Sequence, residues 1–212
     1  MTQTKVVLSC GLLACGLMGK GFADDGAGLE KTISARALAD ALHIVLEADR
    51  AVYTKKVVNR LTRKEKVITA SEHFDDDQAL PLPAQMFRFG AETVNKKIGK
   101  QDDPEVSFSY SLQSLWPINK QNEPKTDAEK EGLQYVVDNP KKNFYTIEKL
   151  GDQQYFTAIY PDRAVSKVCI TCHNDHKDSP RDDFKMKETM GCLLYTSPSP
   201  RDLSTSRMPS SA

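Results

Sequence analysis

The sequence predicts an α+β domain, in which one long helix precedes an antiparallel sheet that a further helix interrupts. Residues 28–63 contain neither proline nor glycine after Gly28, and their apolar side chains recur at helical intervals, as in a long amphipathic helix. Apolar and polar residues alternate over 106–115, as in a half-buried strand. Two more apolar runs flank Gly151-Asp152, which is typical of a β-hairpin. Helices followed by antiparallel strands favour the α+β class over an all-helical fold.

Local signals predict the other elements in chain order. A helix is expected over residues 83–99, because proline favours the first turn of a helix. Thr126 and Glu129 form a capping box that starts another helix, which should end before Asn139-Pro140. The hairpin strands are predicted at 144–150 and 154–160.

The N-terminus is predicted to be a signal peptide, residues 1–23. Lys5 precedes a mostly apolar stretch, and Gly21-Phe22-Ala23 offers the small residues that a signal peptidase recognises. The alternative is a lipobox that ends at Cys15, which would leave the mature protein with a lipid anchor on a membrane face. The apolar stretch is too short to span a bilayer, so no transmembrane segment is predicted.

Cys169-Ile170-Thr171-Cys172-His173 has the C-x-x-C-H spacing of a c-type haem attachment site. In such a site the two thiols form thioethers with the haem vinyl groups, and the histidine binds the iron as the proximal ligand. The alternatives are a zinc half-site, a thioredoxin-like pair and a structural disulfide. Zinc needs about four ligands and no second pair follows, while no βαβ pattern precedes the motif. One covalent haem c is therefore predicted, held by Cys169, Cys172 and His173.

A haem of this kind is attached outside the bacterial cytoplasm, so the motif and the leader together predict a periplasmic or otherwise exported protein, with the lipoprotein as the alternative form. Lys and Arg number 29 and Asp and Glu number 29, so no basic excess indicates nucleic-acid binding. A helix as long as 28–63 protrudes from a small domain unless it packs on a partner, which favours a homodimer through this helix.

The sixth iron ligand stays open among His73, Met86, His43 and water. The mature region has one cysteine outside the motif, Cys192, and this residue begins the tail described below. A cysteine ligand is therefore excluded. Two further residues are candidates for haem contacts. Arg88 could pair with a haem propionate through its guanidinium, and Tyr110 either contacts the haem or packs the sheet.

The folded domain is predicted to span residues 24–191, because the composition changes after Gly191. Residues 192–212 are rich in Ser, Pro and Thr and have neither helical nor strand periodicity, so they are expected to be disordered. They also resemble translated adapter or vector sequence, which indicates a tail that is not native. A last strand should follow the C-x-x-C-H motif, but the tail begins there, so this strand is predicted to be missing.

Three stretches, 70–88, 108–119 and 169–185, are similar to the periplasmic mono-haem c-type domains with a PAS-like fold, a family that includes stand-alone proteins and receptor sensor modules. The resemblance covers most of residues 28–191. It implies a PAS-like antiparallel sheet, a sixth ligand that varies between histidine, sulfur and water, and a closing strand that a glycine initiates.

The predicted function is one-electron transfer or redox sensing by a haem c whose iron has two protein ligands. The alternative is a haem-based sensor of NO, CO or O₂ that signals through a separate partner. An enzyme is not predicted. Peroxidase-like activity is a weaker alternative, because no sequence pattern supplies a distal acid-base residue.

Overall fold

A computed structural model of the chain describes residues 33–100 and 107–199. It contains four helices and an antiparallel sheet, so the prediction of an α+β fold is confirmed. The helices are α1 (Ala35–Val52), α2 (Pro83–Ile98), α3 (Asp127–Asp138) and α4 (Lys167–Asp175). The strands are β1 (Ala70–Ser71), β2 (Leu80–Pro81), β3 (Ser109–Gln113), β4 (Phe144–Leu150), β5 (Gln153–Arg163) and β6 (Thr189–Pro198). The predicted signal peptide and the lipobox at Cys15 lie outside the described residues.

The long first helix is confirmed over the described part of its predicted range. It begins at Ala35, where the Ser34 Oγ accepts a hydrogen bond from the Ala37 N at 3.1 Å. Beyond α1 the chain stays helical in two π-helical segments, Tyr53–Val58 and Arg60–Lys64. No local sequence signal predicts this change of helix type.

The predicted starts of α2 and α3 are confirmed. Hydrogen bonds within the first turn stabilise each start. At α2 the Leu82 N donates to the Gln85 Oε1 at 2.9 Å. At α3 the predicted capping box is present, because the Glu129 N donates to the Thr126 Oγ1 at 3.1 Å and the Thr126 N donates to the Glu129 Oε2 at 3.1 Å.

Strands β3 to β6 form one antiparallel sheet in the order β3-β6-β5-β4, and β1 and β2 form a separate parallel pair. The predicted hairpin is confirmed as β4 and β5, with Gly151 at a φ of 63° in the turn between them. The predicted strand over 106–115 is confirmed as β3.

The prediction that the last strand is missing is wrong, because β6 lies between β3 and β5 and pairs with both. Four consecutive apolar residues at its centre, 192–195, are buried. A strand covered on both faces is a continuous apolar run without alternation, so the lack of a strand period did not exclude a strand. The expected disorder is therefore also wrong for 192–198. Residues 200–212 lie outside the described residues, and the foreign origin of the tail stays a prediction.

The two faces of the sheet bury two separate clusters of side chains. Helices α1 and α2 cover the first cluster, which contains Ala39, Phe87, Ala91, Tyr110, Ala158, Tyr160, Leu193 and Tyr195. Helix α3 covers the second cluster, which contains Leu133, Val136, Ile159, Cys192 and Leu194. Ile159 lies between Ala158 and Tyr160 in the chain but on the opposite face, as the pleat of a strand requires.

Among the described residues, no helix combines the length and the apolar character that a bilayer-spanning segment needs.

Candidate functional site at helix α4

The C-x-x-C-H motif lies on α4, a short helix that follows β5. Ser166 caps the start of this helix, because its Oγ accepts a hydrogen bond from the Val168 N at 3.4 Å. Cys169 and Cys172 are three residues apart and therefore share one helical face. Both thiols are free; Cys169 is half-buried and Cys172 is exposed. The two sulfurs are thus available on one turn of helix, next to the imidazole of His173.

A small apolar cluster supports α4 from below. Cys169 and Ile170 pack with the half-buried Trp116 against a buried group of three residues, Ala164, Phe184 and Met190. The Phe184 ring meets the His173 ring edge-on, with 5.8 Å between the centroids. This cluster fixes the inner face of α4 and leaves Cys172 toward solvent.

Phe184 is tied to α4 by a pair of hydrogen bonds from one side chain. The Asn174 Nδ2 donates to the Phe184 O at 3.1 Å, and the Phe184 N donates to the Asn174 Oδ1 at 3.0 Å. Because Asn174 follows His173 directly, these bonds hold the aromatic ring beside the imidazole.

The imidazole of His173 has an unusual environment for a histidine. Its Nδ1 is buried and has no hydrogen-bond partner among the described residues. Burial lowers the pKa of His173, with a further contribution from His176, and the carboxylate of Asp162 opposes this shift without cancelling it. The ring is therefore neutral near pH 7, which is the form that binds a metal.

The Cys172 thiol is likewise kept neutral. Although Cys172 is exposed as a residue, partial desolvation of its sulfur raises its pKa, and the nearby Glu72, Cys169 and Asp175 add to the shift. A protonated thiol beside acidic groups is a poor disulfide partner at neutral pH, because thiol–disulfide exchange requires the thiolate.

Two arginines lie at the edges of the site. The Arg50 Nη2 donates to the Asp162 Oδ2 at 2.8 Å, and the two side chains are 21% and 23% exposed. Burial opposes the charge of Arg50, but Asp162 outweighs it, and the pKa of Arg50 is raised with a smaller contribution from Cys169. Arg181 lies over the rings of Trp116 and Phe184, at 4.5 and 4.1 Å from the ring centroids.

The structure brings His73 to the C-terminal end of α4. The Glu72 Oε1 lies 3.1 Å from the His176 Nε2 and 3.6 Å from the His73 Nε2. The Gln85 Nε2 donates to the Glu72 O at 2.7 Å, which places the first turn of α2, with the half-buried Met86, beside the same loop. Of the predicted sixth-ligand residues, His73 therefore lies on the loop that contacts the end of α4, and Met86 lies on the helix that adjoins this loop.

His43, by contrast, lies in the core between α1 and the sheet. Its ring stacks on the Tyr160 ring, with 3.9 Å between the centroids and 11° between the planes. The Nδ1 lies 3.4 Å from the Tyr195 Oη, and the Nε2 lies 3.8 Å from Glu47. Both nitrogens thus have polar neighbours within the fold.

The two predicted haem contacts lie away from α4. Arg88 on α2 pairs with Glu92 at 2.9 Å. Tyr110 is buried in the core cluster of α1 and α2, where it meets Phe87 edge-on. Neither contact involves a residue of α4.

Sequence reasoning missed Arg50, Asp162, Arg181 and Glu72. Arg50 and Asp162 are 112 residues apart, and His176 and Glu72 are 104 residues apart, so no local pattern joins either pair. The one available signal was Arg50 itself, an arginine on the face of the first helix that also carries Ala39, His43 and Leu46.

Two free thiols and a neutral imidazole on one helical turn can form two thioethers and one bond to iron.

Comparison with known proteins gives a context for this arrangement. The model of the family described as Tll0287-like matches residues 30–198. A search of curated proteins found no match.

Among solved structures, the crystal structure of the cyanobacterial heme-protein Tll0287 is similar to this chain. The two share 13% sequence identity and a TM-score of 0.49, over 78% of this chain and 97% of that chain. An identity and a TM-score this low support no conclusion about the ligands of this chain.

Proposed function

Because the chain belongs to the Tll0287-like family, we propose that it is a haem protein with one covalent c-type haem. Cys169 and Cys172 form the thioethers, and His173 supplies the proximal ligand. The observation that carries this proposal is the C-x-x-C-H motif on α4, with both thiols free and with the buried His173 Nδ1 unpartnered among the described residues. A PAS-like character of the sheet is part of the same proposal.

The surroundings of α4 suit a porphyrin. Trp116 and Phe184 supply aromatic surface beside His173. Arg50 and Arg181 supply cations beside α4, and we assign the propionates to them rather than to Arg88, whose described contacts lie on α2. Arg50 also pairs with Asp162, and Arg181 pairs with Asp183 and Glu188.

We assign the sixth iron position to His73 in preference to Met86 and His43. The His73 side chain is 68% exposed, its one polar neighbour among the described residues is Glu72 at 3.6 Å, and its loop adjoins α4. An exposed imidazole on a loop is free to turn toward iron, whereas His43 is stacked and surrounded in the core.

The bound haem would supply a reversible one-electron reduction, so the function that fits two histidine ligands is electron transfer or redox sensing. The chain's own groups keep His173 neutral and oriented, and they set the local charge through Arg50, Asp162 and Arg181. Gas sensing through a separate partner is the alternative if the sixth position is open. The protein is proposed to act outside the cytoplasm, with a redox or signalling protein as its partner and with lipidation at Cys15 as the alternative to signal-peptide removal.

Covalent attachment is tested by producing the full chain together with cytochrome c maturation proteins. A denaturing gel stained for haem should show a haem band that the double Cys169→Ser/Cys172→Ser variant loses completely. Cys192→Ala is the matched control and should keep the band, because Cys192 lies in the core cluster of α3. An unstained wild-type band, or a stained band in the double variant, would contradict the proposal.

Electron transfer and gas sensing are separated by spectra of the reduced haem-loaded protein with and without CO. Two histidine ligands give a low-spin spectrum that CO changes slowly, and His73→Ala should become high-spin and bind CO at once. His43→Ala is the control and should behave as wild type. Prompt CO binding by the wild type would favour the gas sensor.

A further inference from the structure

Helix α1 exposes a stripe of apolar side chains on the face that does not pack on the sheet. Its larger members are Ile44, 66% exposed, and Val45 and Val52, each 57% exposed, and Ile33, just before the Ser34 cap of the helix, is 61% exposed. Three exposed alanines, Ala37, Ala41 and Ala48, lie in the same stripe. The inward face of the helix uses other residues, Ala39, Leu42 and Leu46, for the core. The stripe therefore plays no part in the packing of the described domain, although so many exposed apolar side chains on one helix are costly in water.

The stripe has the spacing of a helix–helix seam. Five of its residues, 37, 41, 44, 48 and 52, follow one another at intervals of three or four, which keeps them in one row along the helix. Alanine at three of these positions allows the backbone of a second helix to approach closely.

The middle of the same row is symmetric end for end. Ala37 and Ala48, and Ala41 and Ile44, lie at equal distances from a point between residues 42 and 43. Reversing the helix direction about this point places an apolar residue opposite each of these four, whereas Val45 comes opposite Asp40. A surface that is complementary to its own reversed copy fits a two-fold interface between identical chains.

Charges beside the stripe agree with this direction. Arg36 and Glu47 are eleven residues apart, or about three turns, so they lie along the same edge of the stripe. Their side chains are 64% and 69% exposed. In an antiparallel pair the same edges of two helices face each other, so Arg36 of each copy lies alongside Glu47 of the other. A parallel pair offers no such opposite-charge neighbours along this edge.

We propose that two copies of this chain associate through α1 in antiparallel orientation, about a two-fold axis near residues 42 and 43. This interface is independent of the haem proposal, since none of its residues lies on α4. Helix α1 has 18 residues and is about 27 Å long, so the pair buries a modest area.

Sedimentation velocity of the full chain over a range of concentrations tests the proposal. We expect a monomer–dimer equilibrium whose dissociation constant Ile44→Glu raises by about tenfold or more. Val165→Glu is the matched control, because Val165 is 74% exposed and lies outside α1, and it should leave the equilibrium unchanged. Circular dichroism should show that both variants keep the fold. If the stripe instead covers another protein or a membrane, the pure chain stays monomeric, and that result would overturn the proposal, as would a dimer that Ile44→Glu leaves intact.

The antiparallel orientation is tested by exchanging the two charges. Arg36→Glu and Glu47→Arg should each weaken the dimer by a few-fold, because each places like charges side by side. The double Arg36→Glu/Glu47→Arg variant should restore the wild-type affinity. A double variant that associates no better than the single variants would overturn the antiparallel arrangement. The restoration also separates the interface from the contact of Arg36 with the Tyr145 ring within one chain, which the double variant does not restore.

Discussion

His43 and His173 are both buried enough for desolvation to lower their pKa, yet they lie in two different kinds of surroundings. His43 stacks on Tyr160 and has polar neighbours at both nitrogens. The buried Nδ1 of His173 has no partner among the described residues, and the ring touches the edge of Phe184. Leaving a buried polar atom unpaired costs roughly 1–3 kcal/mol, which a fold retains where a function uses the group.

Burial alone does not identify a ligand histidine. Both imidazoles are neutral near pH 7. His43 lies on α1, which packs on the sheet, and His173 lies on α4, which follows β5. The difference is whether the fold already uses the ring. The core uses His43 as one more aromatic side chain, whereas the described contacts of α4 leave the His173 ring without a polar role.

Removing each ring in turn tests whether the two histidines have different roles. His173→Gln should reduce the haem content of the protein by at least about tenfold, because the proximal ligand is lost. His43→Gln should keep the haem and lower the free energy of unfolding by about 1–3 kcal/mol, because the stacked ring is lost. A haemochrome assay and urea unfolding measure the two effects. A His43→Gln variant that keeps its stability but changes its haem spectrum would instead make His43 the sixth ligand.

The ion pair of Arg50 and Asp162 joins the two regions, because α1 carries both His43 and Arg50, while Asp162 lies at the end of β5 just before α4. Asp162 also opposes the lowering of the pKa of each histidine. Arg50→Gln leaves this carboxylate without its partner and should lower the free energy of unfolding by about 2–3 kcal/mol. Urea unfolding measures the loss.

Arg60→Gln is the matched control for the ion pair. Arg60 pairs with Glu65 at the same 2.8 Å distance, but the two side chains are 52% and 44% exposed. Exposed pairs contribute roughly 0–1 kcal/mol. Equal losses in the two variants would show that the Arg50–Asp162 pair is no more than a surface contact.

Elements with local signals were predicted from the sequence, and elements that depend on tertiary burial were not. The capping box at Thr126 and the proline at the start of α2 each act within one helical turn, so both helix starts agree with the structure. Strand β6 was missed because it has a continuous apolar run and no alternation. Such a run fits a strand only where both faces of the sheet are covered, and that cover is visible only in the assembled sheet. The π-helical segments after Val52 have no sequence signal at all.

The candidate site divides in the same way. The motif at Cys169, Cys172 and His173 is a local pattern, which the sequence shows directly. The neighbours of that helix come from distant parts of the chain: Arg50 from α1, and Glu72 from the loop before α2. Spacing within a sequence carries no information on such contacts, and the choice of Arg88 for a propionate was made without it.

The smallest expected effect concerns pH, and it isolates His43 from the other histidines. Burial lowers the pKa of His43 in the folded state below the value of about 6.5 that an unfolded chain shows, although Glu47, Asp40 and Asp162 oppose the shift. The unfolded state therefore binds a proton first as the pH falls. The stability that His43 contributes is complete above about pH 6.5 and is lost as the pH falls from there toward the folded pKa. One proton limits the slope to about 1.4 kcal/mol per pH unit.

His43→Phe keeps an aromatic ring against Tyr160 and removes the titration, so its free energy of unfolding should change less between pH 7 and pH 5 than that of the wild type. An unchanged slope in His43→Phe would show that the fold does not hold the His43 ring in its neutral form, and the contrast with His173 would then rest on hydrogen bonding alone.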